Sequence, residues 1–360
     1  MKMADHGTAP PIFDGHNDVL LRLYLPERRG GASFFTRNSA GHIDLPRARE
    51  GRLGGGFFAI FVPSDPTTRK SPGESLHITE HGWHVDLAPP LDLVYAQRHT
   101  IAMMARLFRL EAEAAGQVRV VRTADELAEC LRQGILAMAL HFEGAEAIDA
   151  DLDALDVFYA AGLRSLGIVW SRPNAFGHGV PFRFPASPDT GAGLTGAGQA
   201  LVRACNRMGI LVDLAHLNER GFWDVADLTT APLVVTHAAA HALCPVTRNL
   251  TDRQIDAIGE SGGVIGVNFE VSALRADGYD DPDTPLMEII RHIDYIAGRI
   301  GIDHVAFGSD FDGATMPAAL KDVSGLPRLL AALREHGYDE PALRKLTHQN
   351  WLRVLRATWK

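Results

Sequence analysis

The sequence predicts an α/β protein, a (β/α)8 barrel of the TIM type with long insertions in its βα loops. Three observations point there. Eight short apolar runs recur along the 360 residues, separated by stretches of helical period. The runs are nearly continuous in apolar residues, as suits parallel strands covered on both faces. Histidines and carboxylates then recur at the C-terminal ends of these runs, where barrels of this type carry their active sites.

The first run, "PIFDGH" at 11–16, leads into His16 and Asp18, which share one face if the strand continues. Next come "GGFFAIFV" at 55–62, "ILAMALHFEG" at 135–144 and "LRSLGIVW" at 163–170. The second half holds "ILVDLAH" at 210–216, "PLVVTHA" at 232–238, "GVIGVNFE" at 263–270 and "HVAFGSDFDG" at 304–313. Between them "TADE" at 123–126 and "TDRQ" at 251–254 read as capping boxes. Thr284 followed by Pro285 marks a helix start, with Leu286, Ile289, Ile293 and Ile296 as its apolar stripe. Gly209 closes the helix that begins after Leu194. Two connections exceed a simple crossover. Residues 63–122 hold a Pro-rich stretch and a long helix striped by Val94, Ile101, Met104 and Phe108, and residues 171–192 are rich in Pro and Gly. Loops of that length in a compact domain are usually lids or binding loops. No repeat or linker divides the chain, so one domain over 1–360 is expected.

Composition narrows the function. Hydrophobic residues make up 46% and charged residues 22%, which suits a globular protein with a large core. A formal net charge of −9 disfavours a nucleic-acid partner. Cys130, Cys205 and Cys244 form neither a disulfide framework nor a zinc motif, which fits a reducing compartment. The segment before Ile12 has no apolar leader, no run approaches a membrane span, and "RVLRATWK" is not a lipid-anchor signal. A cytoplasmic protein with no membrane partner is the expectation.

The strand ends gather a specific chemistry: His16 and Asp18 on the first, Glu143 on the third, Asp213 and His216 on the fifth. The sixth adds His237, and the eighth adds Asp310 and Asp312. Each alone has a structural explanation, but together they converge on one pocket. Three imidazoles with carboxylates and no thiolate suit zinc, manganese or cobalt. His16 and Asp18 suit one ion and His216 and His237 a second, with Glu143 the natural bridge. No lysine stands at a strand end to bridge as a carbamate, because Lys70 and Lys321 lie in or beyond loops. Between two ions a water is acidified into a nucleophile while a carbonyl is polarised. Asp310 is the best placed acid/base. Arg248, in "CPVTRNLTD" after the sixth strand, has the fork that clamps a substrate carboxylate.

These residues resemble the membrane dipeptidase (renal dipeptidase, peptidase M19) family of the amidohydrolase superfamily. The likeness runs in order through "DGHND", "HIDLPRAREGRLGGGFFAIFV", "HFEGAEAI", "GLTGAGQALVRACNRMGILVDLAHL", "VVTHAAA", "VTRNLTDRQIDAI", "GGVIGVNF", "GSDFDG" and "NWLRVL". It implies a metal-dependent dipeptidase barrel, tolerant in some members of a C-terminal D-residue. His16 and Asp18 then hold one zinc, His216 and His237 the other, and Glu143 bridges. Asp310 matches the catalytic aspartate and Arg248 the arginine that holds the substrate's carboxylate. A homodimer is the assembly the resemblance implies. The chain departs from the family at Trp170, where a substrate-contacting histidine is usual, and at Glu270, where an aromatic residue is common; both are candidate substrate contacts. A replacement donor for the missing histidine is expected in "NAFGHG", whose His178 lies between Gly177 and Gly179. An amidohydrolase acting on an N-acyl-D-amino acid or a lactam is the alternative within enzymes. A degenerate barrel that only binds a ligand is the alternative outside them.

Overall fold

The computed structural model describes residues 10–25, 33–68 and 70–360. Residues 1–9, most of the segment whose lack of an apolar leader set the expectation above, lie outside the described residues. The protein is a (β/α)8 barrel. Its strands in chain order are β1 (Ile12–Asn17), β2 (Leu53–Ile60), β3 (Leu76–Thr79), β4 (Gly82–Val85), β5 (Val118–Val121) and β6 (Leu136–Glu143). They continue with β7 (Ser165–Gly167), β8 (Arg183–Phe184), β9 (Leu211–Asp213), β10 (Val234–Ala238), β11 (Val264–Val267) and β12 (Val305–Phe307). Eight of them pair in parallel in the order β1-β2-β6-β7-β9-β10-β11-β12. Parallel pairing of Asn17 with Phe311 closes the ring. There the Asp18 amide donates to the Phe311 carbonyl at 2.8 Å, and the Asp310 amide to that of His16 at 3.0 Å.

All eight predicted runs contain barrel strands. The sequence reading missed β5, which lay inside the insertion assigned to 63–122. Its four residues pair with Leu136–Ala139, the first half of β6, while β7 pairs with His141–Glu143 on the same strand. So short a strand is held by its neighbour rather than by its own pattern. Besides its long helix, that insertion forms the β3–β4 hairpin, which the second insertion extends through β8 into a three-stranded antiparallel sheet.

Inside the barrel Phe13, Phe57, Ala137, Ala139, Leu211, Val234, Val264 and Ala306 pack with Trp351 and Trp359 from the C-terminal segment. The larger apolar cluster lies between the strands and the helical ring. Gly15 is required at the barrel axis, since a Cβ there would lie 2.4 Å from the Thr236 carbonyl oxygen and 2.6 Å from the Trp351 ring. The stripe assigned to the long helix is rotated from the observed one. Leu93–Glu113 buries Ala96, Thr100, Met103, Met104, Leu107 and Leu110, whereas Val94 and Ile101 are exposed. Apolar residues on the solvent face misled the periodicity. The helix assigned to Thr284–Pro285 starts one residue later, at Leu286, with Pro285 as its N-cap. Its buried face includes Ile289, Ile293 and Ile296 as expected. Thr123 and Glu126 form their capping box, and Gln254 accepts from the Thr251 amide at 2.9 Å. Gly209 ends its helix in the left-handed conformation at φ 76°.

Candidate active site and metal centre

Along β6, alternate residues Ala137, Ala139, His141 and Glu143 share a face. The small pair sits against the barrel floor, so the polar pair stands above it. Glu143 thus reaches the C-terminal mouth of the barrel with its two oxygens facing different partners. Oε1 lies 2.9 Å from His216 Nε2 and 3.7 Å from His237 Nε2. Oε2 lies 3.6 Å from His16 Nε2, which is in turn 3.5 Å from Asp18 Oδ2. Asp18 arrives differently from the strand alternation assumed for it. β1 ends at Asn17, and Asp18 is the N-cap of the short helix Val19–Tyr24.

The residues around the histidines fix which nitrogen faces inward. Thr236 Oγ1 donates to Asp213 Oδ2 at 2.6 Å, so its lone pair accepts from His237 Nδ1 at 2.9 Å. Ser171 Oγ takes the same position at 2.8 Å from His216 Nδ1. His237 then presents its Nε2 lone pair to the cavity, as a metal requires, and His216 does the same when Ser171 accepts from its Nδ1. Burial, followed by the positive charge of Arg248 for His216 and of His16 for His237, holds both well below the usual histidine range. Both imidazoles are therefore neutral. The two Nε2 atoms face each other at 3.1 Å, near enough to share one cation. His16 Nε2 and Asp18 Oδ1 are buried without a hydrogen-bond partner. Although burial opposes it, the carboxylates of Glu143 and Asp18 hold His16 well above the histidine range. The donor set, with ligand atoms of His16–Asp18–Glu143 and of Glu143–His216–His237 each within 4.8 Å of one another, fits two divalent cations sharing one carboxylate.

Asp310 stands beside this set, grouped with His16 and His237. Its Oδ2 accepts from Asn268 Nδ2 at 3.2 Å. Burial, reinforced by Asp18, Glu270 and Glu143 against the pull of His16, pushes its carboxyl up to about 7. Asp310 and His216 both take left-handed backbone, φ 62° and 65°, an unfavourable conformation for such residues that clusters at functional sites. Arg248 is buried, with one guanidinium nitrogen donating to the His237 carbonyl at 3.0 Å.

These groups line a cavity of about 510 Å3 that also takes in Glu143, His216, Trp170 and Glu270. Trp170 forms an aromatic wall between Phe61 and Phe182, with ring centroids 5.0 and 5.6 Å away. Arg172 braces that wall. Its guanidinium lies 5.1 Å from the Phe61 and Trp170 rings while it pairs with Glu146 at 2.8 Å. Among the described residues no lysine lines the cavity, and Lys70 pairs with Asp86 at 2.6 Å.

Three of the residues singled out in the sequence lie elsewhere. Asp213 is spent on Thr236 and the Ala215 amide. Asp312 accepts from Arg22 Nε and the His42 amide, outside the cavity. His178 is not among the cavity-lining residues, contrary to the expected replacement donor. Its segment is stitched to the chain after β9. The His178 carbonyl accepts from the Asn218 amide at 3.2 Å, and the Val180 amide donates to the His216 carbonyl at 2.8 Å. Gly179 serves close packing rather than an unusual backbone angle, since a Cβ there would lie 1.8 Å from the Trp170 carbonyl oxygen. Sequence reasoning also missed Ser171, Thr236 and Asn268, whose roles depend on a neighbouring strand and carry no local motif.

A model of the membrane dipeptidase (peptidase family M19) matches residues 5–360. The chain belongs to this family. Membership places it among the metallo-dipeptidase hydrolases. A Klebsiella pneumoniae protein described only by its place in the pqqA 5′ region is 51% identical over 271 residues, 75% of this chain and 98% of its own. Dipeptidase tcpJ of Claviceps purpurea is 29% identical over 349 residues, covering 95% of this chain and 76% of its own. A Rhodobacter sphaeroides metallopeptidase, solved with a phosphinate mimic of the dipeptide L-Ala-D-Ala, superposes with a TM-score of 0.93. It is 51% identical, covering 98% of this M19 chain and 100% of its own. Among the described residues no helix is long and apolar enough to cross a membrane.

Proposed function

We propose that this M19 protein is a binuclear zinc-dependent dipeptidase, one barrel domain over 1–360, hydrolysing the amide bond of dipeptides including those with a C-terminal D-residue. The observation that carries the reading is Glu143, whose two oxygens face His16 on one side and His216 with His237 on the other. The likeness to the Rhodobacter sphaeroides metallopeptidase and its L-Ala-D-Ala mimic supports both substrate class and stereochemistry. His16 and Asp18 would hold one ion and His216 and His237 the other, with Glu143 placed to serve both. Bound there, the ions supply an acidified water and a polarised carbonyl. Asp310 takes the proton from the attacking water and delivers it to the leaving amine, held for this by Asn268. Trp170, Phe61 and Phe182 shield the reacting amide from solvent. Three free, buried cysteines support a cytoplasmic site of action, and a homodimer is the assembly we expect. Zinc-loaded protein assayed on L-L and L-D dipeptides tests the reading, and failure to cleave either set would overturn it.

Arg248 binds the substrate's terminal carboxylate in this reading. A dipeptide should therefore be cleaved with a kcat/KM roughly 30-fold or more above that of its C-terminal amide, since removing one partner of a buried charge pair costs about 2 kcal/mol or more. Tripeptides should also be poor, their carboxylate lying one residue too far. Equal rates on dipeptide and amide would remove Arg248 from this role.

A further inference from the structure

Beyond Glu270 the catalytic cavity meets a second one, of about 480 Å3, with Glu270, Gly313 and Ala314 as shared walls. We propose that this second cavity receives the side chain of the substrate's C-terminal residue and that Glu270 and Asp280 select a cationic one, lysyl or arginyl. The proposal rests on the dipeptidase reading above and names its substrate class.

The lining is suited to a long side chain ending in a positive charge. Leu76, Ile78, Trp83 and Tyr279 offer apolar and aromatic surface, and Glu270 and Asp280 supply two carboxylates. A lysine or arginine lays its methylene stem along such a wall and presents its head to the acids, with aromatic faces adding attraction for the cation. Among the described residues no lysine, arginine or histidine lines this cavity. Among the described residues neither carboxylate has an ion-pair partner: Glu270 accepts from Ser272 Oγ at 2.7 Å and Asp280 from Thr315 Oγ1 at 3.2 Å. Arg275, on the same loop, is engaged by Asp277 and Asp281 instead. The walls are tied together, because Trp83 Nε1 donates to the Gly278 carbonyl at 2.7 Å and joins the β3–β4 hairpin to the loop that carries Asp280.

The end of the substrate that reaches this cavity follows from Arg248. Glu270 and Arg248 line the same catalytic cavity, and Glu270 lines the second as well. A terminal carboxylate on Arg248 puts its own residue in the catalytic cavity, with Glu270 on the wall that leads its side chain into the second. An acidic side chain there would meet two carboxylates and no cation, and would be rejected.

The test compares kcat/KM of zinc-loaded enzyme on alanyl-lysine, alanyl-alanine and alanyl-glutamate, with the C-terminal residue in both configurations. Lysine should be preferred to glutamate by at least about tenfold, the effect of one hydrogen bond to a charged group. Glu270→Gln and Asp280→Asn should each shrink that ratio by about threefold or more, and the double variant should bring it near one, with metal content unchanged. A ratio near one in the wild type, or one that survives both substitutions, would overturn the proposal. So would a charge preference expressed at the N-terminal residue (lysyl-alanine against glutamyl-alanine) and not at the C-terminal one. Cleavage of no dipeptide would overturn the dipeptidase reading and this proposal with it, whereas cleavage without charge preference would overturn the subsite alone.

Discussion

Glu143→Gln is expected to abolish stable binding of both ions, not one. The carboxylate reaches His16 through Oε2 and His216 with His237 through Oε1, so removing its charge weakens both halves of the centre together. An amide offers one carbonyl oxygen and one NH2, and the NH2 would point a donor at one of the two sites. The loss should exceed the roughly 10–100-fold in metal affinity that removing a group behind a ligand costs. That smaller loss is what we expect of Thr236→Val, which frees His237 Nδ1 from its partner and also leaves Asp213 Oδ2 without its hydroxyl donor. Elemental analysis after dialysis should give two ions per chain in the wild type and well below one in Glu143→Gln, with circular dichroism checking that the barrel still folds. One ion per chain in fully loaded wild type would end the binuclear reading, and wild-type metal content in the variant would remove Glu143 from the centre.

The barrel was legible because its strands lie in short, nearly continuous apolar runs bounded by polar residues, and each run carries its own signal. Glu143, His216, His237 and Asp310 were legible for a related reason, since the chain puts each at the end of a strand and the fold does the gathering. Groups that act across strands left no such mark. Thr236 reads as an ordinary strand residue until β9 places Asp213 against its hydroxyl. Arg172 and Glu146 are 26 positions apart in different loops, and only their burial together makes them the brace behind Trp170. His178 shows the reverse error. A histidine between glycines suggests a mobile loop tip, but backbone bonds to Asn218 and His216 fix that segment, and Gly179 is small because the Trp170 carbonyl lies against it. Short-range pattern finds the strand ends. Steric contact decides what lies behind them.

Asp310→Asn should separate proton transfer from metal binding. The substitution keeps the shape of the side chain, and the variant's amide oxygen can still accept from Asn268 Nδ2. What it removes is a group able to take up and release a proton beside His16, in a buried site where the carboxyl already sits at about 7. General acid–base assistance of this kind is worth ~10²–10⁴-fold, so kcat should fall by that factor. KM should change far less, because Arg248 rather than Asp310 binds the substrate's charge in this reading. Metal content decides between two causes of a low rate. Two ions per chain with a collapsed kcat is the result expected of a proton carrier. A parallel loss of metal would make Asp310 a ligand first, as its grouping with His16 and His237 permits. A kcat equal to that of the wild type would take the proton to another group altogether. Asn268→Ala is the companion variant: it leaves the carboxyl in place but removes its orienting donor, so kcat should fall less than in Asp310→Asn while metal content holds. If the two variants lowered kcat equally, Asp310 would owe its effect to position alone, and the acid/base role would fail on that comparison.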